Sequence, residues 1–315
     1  MRQRSRLAAL LLSLAMAVPV AAQGQRPPFT VEGSGRSFWR LQDAVDAIGD
    51  GDGVIRIANG TFGDCAIQTA GRVAFRADEP GKAIFDGGTC EGKAALVLRG
   101  RDAVVEGLVF QNMRVPDGNG AGIRLERGPL LVSQAIFRNS EEGILTGDDP
   151  ASAIRVEQST FSGLGRCDRG LSCAHGIYTG RYGSLSVTRS RFERGNGGHY
   201  LKTWARRVEV TDSSFDDTRG RTTNYMIDLS GGSTGLIARN VFVQGQDKEN
   251  YSAFITVAPE ARENRSAGLQ IANNRASLAP GIDRNTTFVA DWSHEPLQLG
   301  ANQLGQGIKA FEARN

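Results

Sequence analysis

Tyr178, Lys202 and Asp228 follow one another at intervals of 24 and 26 residues, and His175, His199 and Tyr225 each stand three residues before one of them. A phenol, an amine, a carboxylate and two imidazoles are the side chains that move protons near neutral pH. The chain has three histidines in all, and two of them belong to this set. Such a recurrence acts as one site only on a scaffold that brings the backbone back to the same place about every 25 residues.

The chemistry these groups fit is proton abstraction next to a carboxylate. Cleavage of an acidic polysaccharide by β-elimination needs a base for the proton α to the uronate carboxylate. It also needs an acid for the leaving oxygen and a cation to offset the growing carboxylate charge. Lys202 and His199 are the two candidate bases, Tyr178 the proton donor and His175 a further catalytic candidate. Arg181, Arg206, Tyr225 and Asp228 are the candidate substrate contacts. A Lys with a pKa of ~10.4 is a poor base at neutral pH, so the expectation is that nearby cations or burial lower it. Each residue also has a plainer reading: Lys202 as a solvated surface amine, Asp228 as its salt-bridge partner, the histidines as hydrogen-bond partners of turn backbone, Tyr225 as packing. Gly231 and Gly232 need only the tight turns of a repeat structure.

The required scaffold is visible in a second pattern. Val105/Phe110, Val132/Phe137, Val156/Phe161, Val187/Phe192, Val210/Phe215 and Ile237/Phe242 all share a five-residue offset, with Phe-to-Phe steps of 27, 24, 31, 23 and 27 residues. These steps lie in the range of solenoid repeats, and their Val, Ile, Thr, Ser, Asn and Gly content without helical periodicity fits a parallel β-helix. A second strand per coil starts at Ile123, Ile144, Ile177, Leu201 and Ile227. Side chains alternate along a strand, so the next residues, Arg124, Leu145, Tyr178, Lys202 and Asp228, form an outward column with rungs about 4.8 Å apart.

The fold class read from these repeats is all-β: a single right-handed parallel β-helix with an N-terminal capping α-helix. Residues 1–22 read as a secretory signal, with Arg2, Arg4 and Arg6 before the apolar run Leu7–Val18, which is too short to span a bilayer. Its three arginines account for the formal charge of +3, so removal leaves a neutral chain with no global basic field for nucleic acid. Residues 23–315 then form one domain, with a helical cap at 36–50, coils over about 54–276 and an irregular C-terminal cap over 277–315. A monomer, secreted or periplasmic, is expected.

Four cysteines in an exported chain favour disulfides. Cys65 and Cys90 are one coil apart, while Cys167 and Cys173 lie inside the long 31-residue step, just before His175. No Cys-x-x-Cys spacing points to zinc, and a face with one Asp among several cations is a poor calcium cage, so no metal or other cofactor is expected.

Phe38, Leu41, Ala44, Val45 and Ile48 have helical spacing, with Ser37 as the expected N-cap, and Gly49–Gly53 ends the helix before the strand from Val54. This helix with its alanines, Gly-Asp turn, strand and Gly60-Thr61-Phe62 resembles the N-terminal cap of the pectate-lyase-like β-helix superfamily. The resemblance runs through the coils to about Phe242. Within it, His175-Gly-Ile-Tyr178, Gly198-His199-Tyr-Leu-Lys202 and Tyr225-Met-Ile-Asp228-Leu-Ser-Gly-Gly232 are similar to a set in exported bacterial β-helix proteins linked to polysaccharides. The resemblance implies an Arg soon after the Lys, where this chain has Trp204 and then Arg206. Three function classes stay open at this level. The first is a lyase or uronate epimerase. The second is a glycoside hydrolase using Asp228 with Asp212, Asp216 or Asp217, since hydrolysis needs paired carboxyl groups. The third is a non-catalytic carbohydrate-binding envelope protein.

Overall fold

A computed structural model describes residues 26–315; the signal-like segment 1–22 lies outside the described residues. Three sheets of 12, 10 and 10 strands, parallel apart from the antiparallel N-terminal strand Phe29–Val31, run the length of the solenoid, and each coil contributes one strand to each sheet. One coil is Leu130–Ser133, Ile136–Arg138 and Glu142–Thr146; the next is Asp149–Glu157, Thr160–Ser162 and Ile177–Thr179. Among the described residues no helix is long and apolar enough to cross a membrane.

Both apolar columns read from the sequence are present in register. Val105, Val132, Val156, Val187, Val210 and Ile237 pair in succession along the first sheet. Phe110, Phe137, Phe161, Phe192, Phe215 and Phe242 do the same along the second, and Phe62 and Phe85 extend that column towards the N-terminus. Neighbouring rings from Phe110 to Phe242 are 4.6 to 5.1 Å apart and nearly parallel, because the strand spacing itself sets the stacking distance. Phe192 is fully buried in the middle of this stack. Phe192→Ala leaves a cavity with stacked neighbours on both sides and is expected to cost about 3–5 kcal/mol, read as a lower urea midpoint.

The corner between these sheets is built the same way in each coil. Gln134, Gln158, Arg189, Asp212, Arg239 and Asn273 all adopt positive φ of 48 to 59°. Inside the turn a polar ladder, Ser159, Ser190, Ser213, Asn240, Asn274 and Asn302, satisfies the amides of the preceding rung.

Two expectations at the ends change. The helix spans Leu41–Ile48 and has Arg40, not Ser37, at its N-cap. Ser37 instead belongs to the strand Arg36–Phe38, antiparallel to Phe29–Val31, where its hydroxyl meets that of Thr30 at 2.8 Å. Asp64 supplies the missing cap by accepting from the Leu41 amide at 2.7 Å. Gln42 then bonds both the N–H and C=O of Ile67, so the helix covers the open edge of the third sheet. At the other end, residues 277–315 do not form an irregular cap. Thr286–Asp291 and Ile308–Ala313 continue the third sheet in register, with Val289 and Phe311 carrying on the inward column of Ile255.

Candidate active site

The site is carried by the third sheet, on strands Ile177–Thr179, Leu201–Thr203, Ile227–Leu229 and Ala253–Val257. Ile177, Leu201, Ile227 and Ile255 fill the core, so the following residues face outward: Tyr178 pairs with Lys202, Lys202 with Asp228, and Asp228 with Thr256. Outward does not mean solvated here, since Lys202 is 6% exposed and Asp228 only 1%.

Lys202 Nζ lies 3.0 Å from Asp228 Oδ2, contacts the Glu260 carboxylate, and sits 5.6 Å from the centre of the Tyr178 ring. Asp228 also accepts from Ser230 Oγ at 3.1 Å and Thr256 Oγ1 at 3.0 Å. Burial alone favours the neutral amine, but Asp228 and Glu260 outweigh it and hold the Lys202 pKa above its usual value. This corrects the expectation of a lowered amine: the charges around Lys202 are carboxylates, not cations.

The second column lies beside it. The imidazoles of His175 and His199 stack 5.0 Å apart, and the Tyr225 ring follows His199 at 5.6 Å. Burial, reinforced for both by the Lys202 charge, depresses both imidazole pKa values well below the usual range, so both rings are neutral at pH 7. His175 Nδ1 accepts from the His199 backbone N–H at 3.0 Å, which places its proton on Nε2 and makes it a positioning group for the next coil. His199 Nε2 points towards Asp228 Oδ2 at 3.5 Å. The Tyr225 hydroxyl accepts from Asn250 Nδ2 at 2.7 Å.

The two arginines do not join this group. Arg181 is engaged by Glu263 and Asp148, with its guanidinium 4.9 Å over the Trp204 ring. Arg206 is exposed at the corner leading to the first sheet and donates to the Pro150 carbonyl at 2.6 Å. The acids considered for hydrolysis also lie elsewhere. Asp212 pairs with Arg239, Asp216 ends a strand of the second sheet, and Asp217 is buried against Lys248.

Cys65–Cys90 links neighbouring coils beside the capping helix, and Cys167–Cys173 closes the loop that leads into His175. Cys167, Cys173 and Glu249 form a group close enough for a metal ion among the described residues, but the disulfide takes both thiols. The neighbouring wall is tied down by buried Glu141, which accepts from the Val115 and Gly120 amides and from Arg169.

Several contributors were not foreseen. Thr256 is the next rung of the outward column, and extending the register one coil would have found it. Ile144 pairs with Ile177, which aligns Glu142 with His175; burial pushes the Glu142 carboxyl well above the usual range. Glu260 comes from a connection with no repeat signal.

No protein-family model matches the sequence, and no match is found among curated proteins. Among solved structures, an alginate lyase from Paenibacillus sp. str. FPU-7 is similar with a TM-score of 0.69 at 16% identity, covering 87% of this chain and 96% of that one. A PL6 family alginate lyase, AlyGC, is similar with a TM-score of 0.45 at 12% identity over 83% of this chain and 36% of the other. The Streptococcus pneumoniae surface protein and adhesin PfbA is similar at 0.42 and 11% identity, covering 87% of this chain and 94% of that one. With its three in-register sheets, its capping helix and a likeness to the Paenibacillus structure over 87% of its length, the chain has the pectate-lyase-like right-handed parallel β-helix fold.

Proposed function

We propose that the protein is an exported lyase that cleaves an acidic, uronate-containing polysaccharide by β-elimination. The observation that carries this reading is the placement of a buried ammonium, a neutral imidazole and a phenol on adjacent rungs of one outward face. Lys202, held charged by Asp228, binds the substrate carboxylate and offsets the negative charge that builds as the α-proton leaves. His199, neutral and 11% exposed at its side chain, takes that proton. Tyr178 returns a proton to the departing glycosidic oxygen. His175 fixes the His199 backbone, and Tyr225 stacks on the imidazole. No metal is assigned a role, because both Asp228 oxygens are already engaged by Lys202, Ser230 and Thr256. The likeness to an alginate lyase supports the substrate class.

The test is an absorbance screen of the purified protein on alginate, polygalacturonate, glucuronan and hyaluronan. Elimination leaves a carbon–carbon double bond conjugated with the carboxylate, so a rising near-ultraviolet band on at least one polymer is the expected result. New reducing ends without that band would indicate a hydrolase, and binding without cleavage a carbohydrate-binding envelope protein.

A further inference from the structure

The segment 258–265, which follows strand Ala253–Val257, reaches Lys202 and, at the neighbouring corner, Arg181 with carboxylates. Glu260 contacts Lys202, and Glu263 forks onto Arg181, with Oε2 2.8 Å from Nε and Oε1 2.7 Å from Nη2. The backbone beneath these acids is firmly held. The Glu260 and Ala261 amides both donate to Ser230 O, the Asn264 amide donates to Gly231 O, and Asn264 Nδ2 donates to Trp204 O and Gly232 O. The two carboxylate arms are different: their side chains are 47% and 39% exposed, against 2% for Asp228. Lys202 therefore has one permanent counter-ion, locked by Ser230 and Thr256, and one that solvent or another anion can replace.

The two cations sit on neighbouring coils, since Arg181 follows the strand Ile177–Thr179 and Lys202 lies on its partner Leu201–Thr203. A coil-to-coil rise of about 4.8 Å is close to the length of one sugar in an extended polymer, and a polyuronate carries one carboxylate per sugar. We propose that Glu260 and Glu263 are built-in stand-ins for two substrate carboxylates, occupying Lys202 and Arg181 in the free protein and displaced when an acidic chain binds. This rests on the acidic-polysaccharide reading above. It makes these two residues specificity determinants: a neutral glycan cannot replace the internal carboxylates, whereas a polyuronate exchanges one anion for another.

Two measurements test it separately. In the free protein, Lys202 is labelled with trinitrobenzenesulfonate and quantified by peptide mass spectrometry. Glu260→Gln keeps the size of the side chain and removes its charge, so labelling is expected to accelerate about fivefold, equivalent to about 1 kcal/mol. Unchanged labelling in a variant with wild-type circular dichroism overturns the stand-in role of Glu260. In the second measurement, calorimetric titration with oligomannuronate, oligoguluronate and oligogalacturonate compares wild type, Glu260→Gln and Glu263→Gln. Each variant is expected to bind at least one of them about two- to fivefold more tightly, with no gain for neutral cello-oligosaccharides. Equal or weaker binding in both variants means that the acids are structural or touch substrate themselves, and it overturns the proposal. Faster labelling with no binding of any oligouronate to any form leaves the masking of Lys202 intact but overturns both the acidic-chain reading and the claim about displacement.

Discussion

Replacing Lys202 with Ala is expected to lower turnover on a uronate polymer by on the order of 10²-fold or more, with the fold retained. The amine is a buried cation on the outward face, and its removal leaves both Asp228 and the substrate carboxylate without an opposite charge. Tyr178→Phe and His199→Gln should each cause a comparable loss, as expected for a missing acid and a missing base. Lys202→Arg separates the roles: a guanidinium still neutralises a carboxylate but does not act as a base, so measurable activity should remain. The pH profile gives a second check. The His199 pKa is depressed, so the imidazole stays a free base through neutrality, and turnover should fall only on acidification below about pH 6.5. The Lys202 pKa is raised, so a Lys base would instead make turnover climb steadily into the alkaline range. A steady climb, together with full loss in Lys202→Arg, would transfer the base to Lys202.

The columns were legible because a parallel solenoid converts sequence offset into spatial register. Once the Phe spacing fixes the coil, Tyr178, Lys202 and Asp228 have to be neighbours, and the structure pairs them. Electrostatics was not legible, because the sign of the Lys202 shift depends on Glu260, which arrives 58 residues later from an irregular connection. The surroundings of the arginines were not legible for the same reason. Their sequence positions near the column said nothing about Glu263, Asp148 or the Pro150 carbonyl, which hold them at the corner. The Ser37 cap failed differently: a local N-cap preference lost to strand pairing with Phe29–Val31, and a carboxylate 23 residues away from Leu41 took its place.

Asp217→Ala should be the most destabilising substitution in the polar interior, at about 3–5 kcal/mol in urea unfolding. Asp217 and Lys248 form an ion pair at 3.1 Å with both side chains fully buried, so removing the acid strands an ammonium away from water. Burial already depresses the Lys248 pKa, with Asp217 pulling the other way. The same carboxylate also accepts from Tyr200 Oη at 2.7 Å, Thr223 Oγ1 at 2.8 Å and the Gly245 amide at 3.2 Å, and all three lose their acceptor together. Lys248→Met should cost less, because Asp217 keeps those three donors and the apolar chain fills the space. The consequence reaches the site through the backbone. Tyr200 lies between His199 and Lys202, and Thr223 lies two residues before Tyr225, so the buried network holds the starts of two strands, one that presents the base and the cation and one that presents Asp228. Asp217→Ala assayed well below its unfolding midpoint should therefore show reduced turnover as well as reduced stability, whereas Phe192→Ala, which cuts the core on the opposite sheet, should lose stability with turnover largely retained. Equal turnover in the two variants would mean that the network stabilises the solenoid without positioning the site.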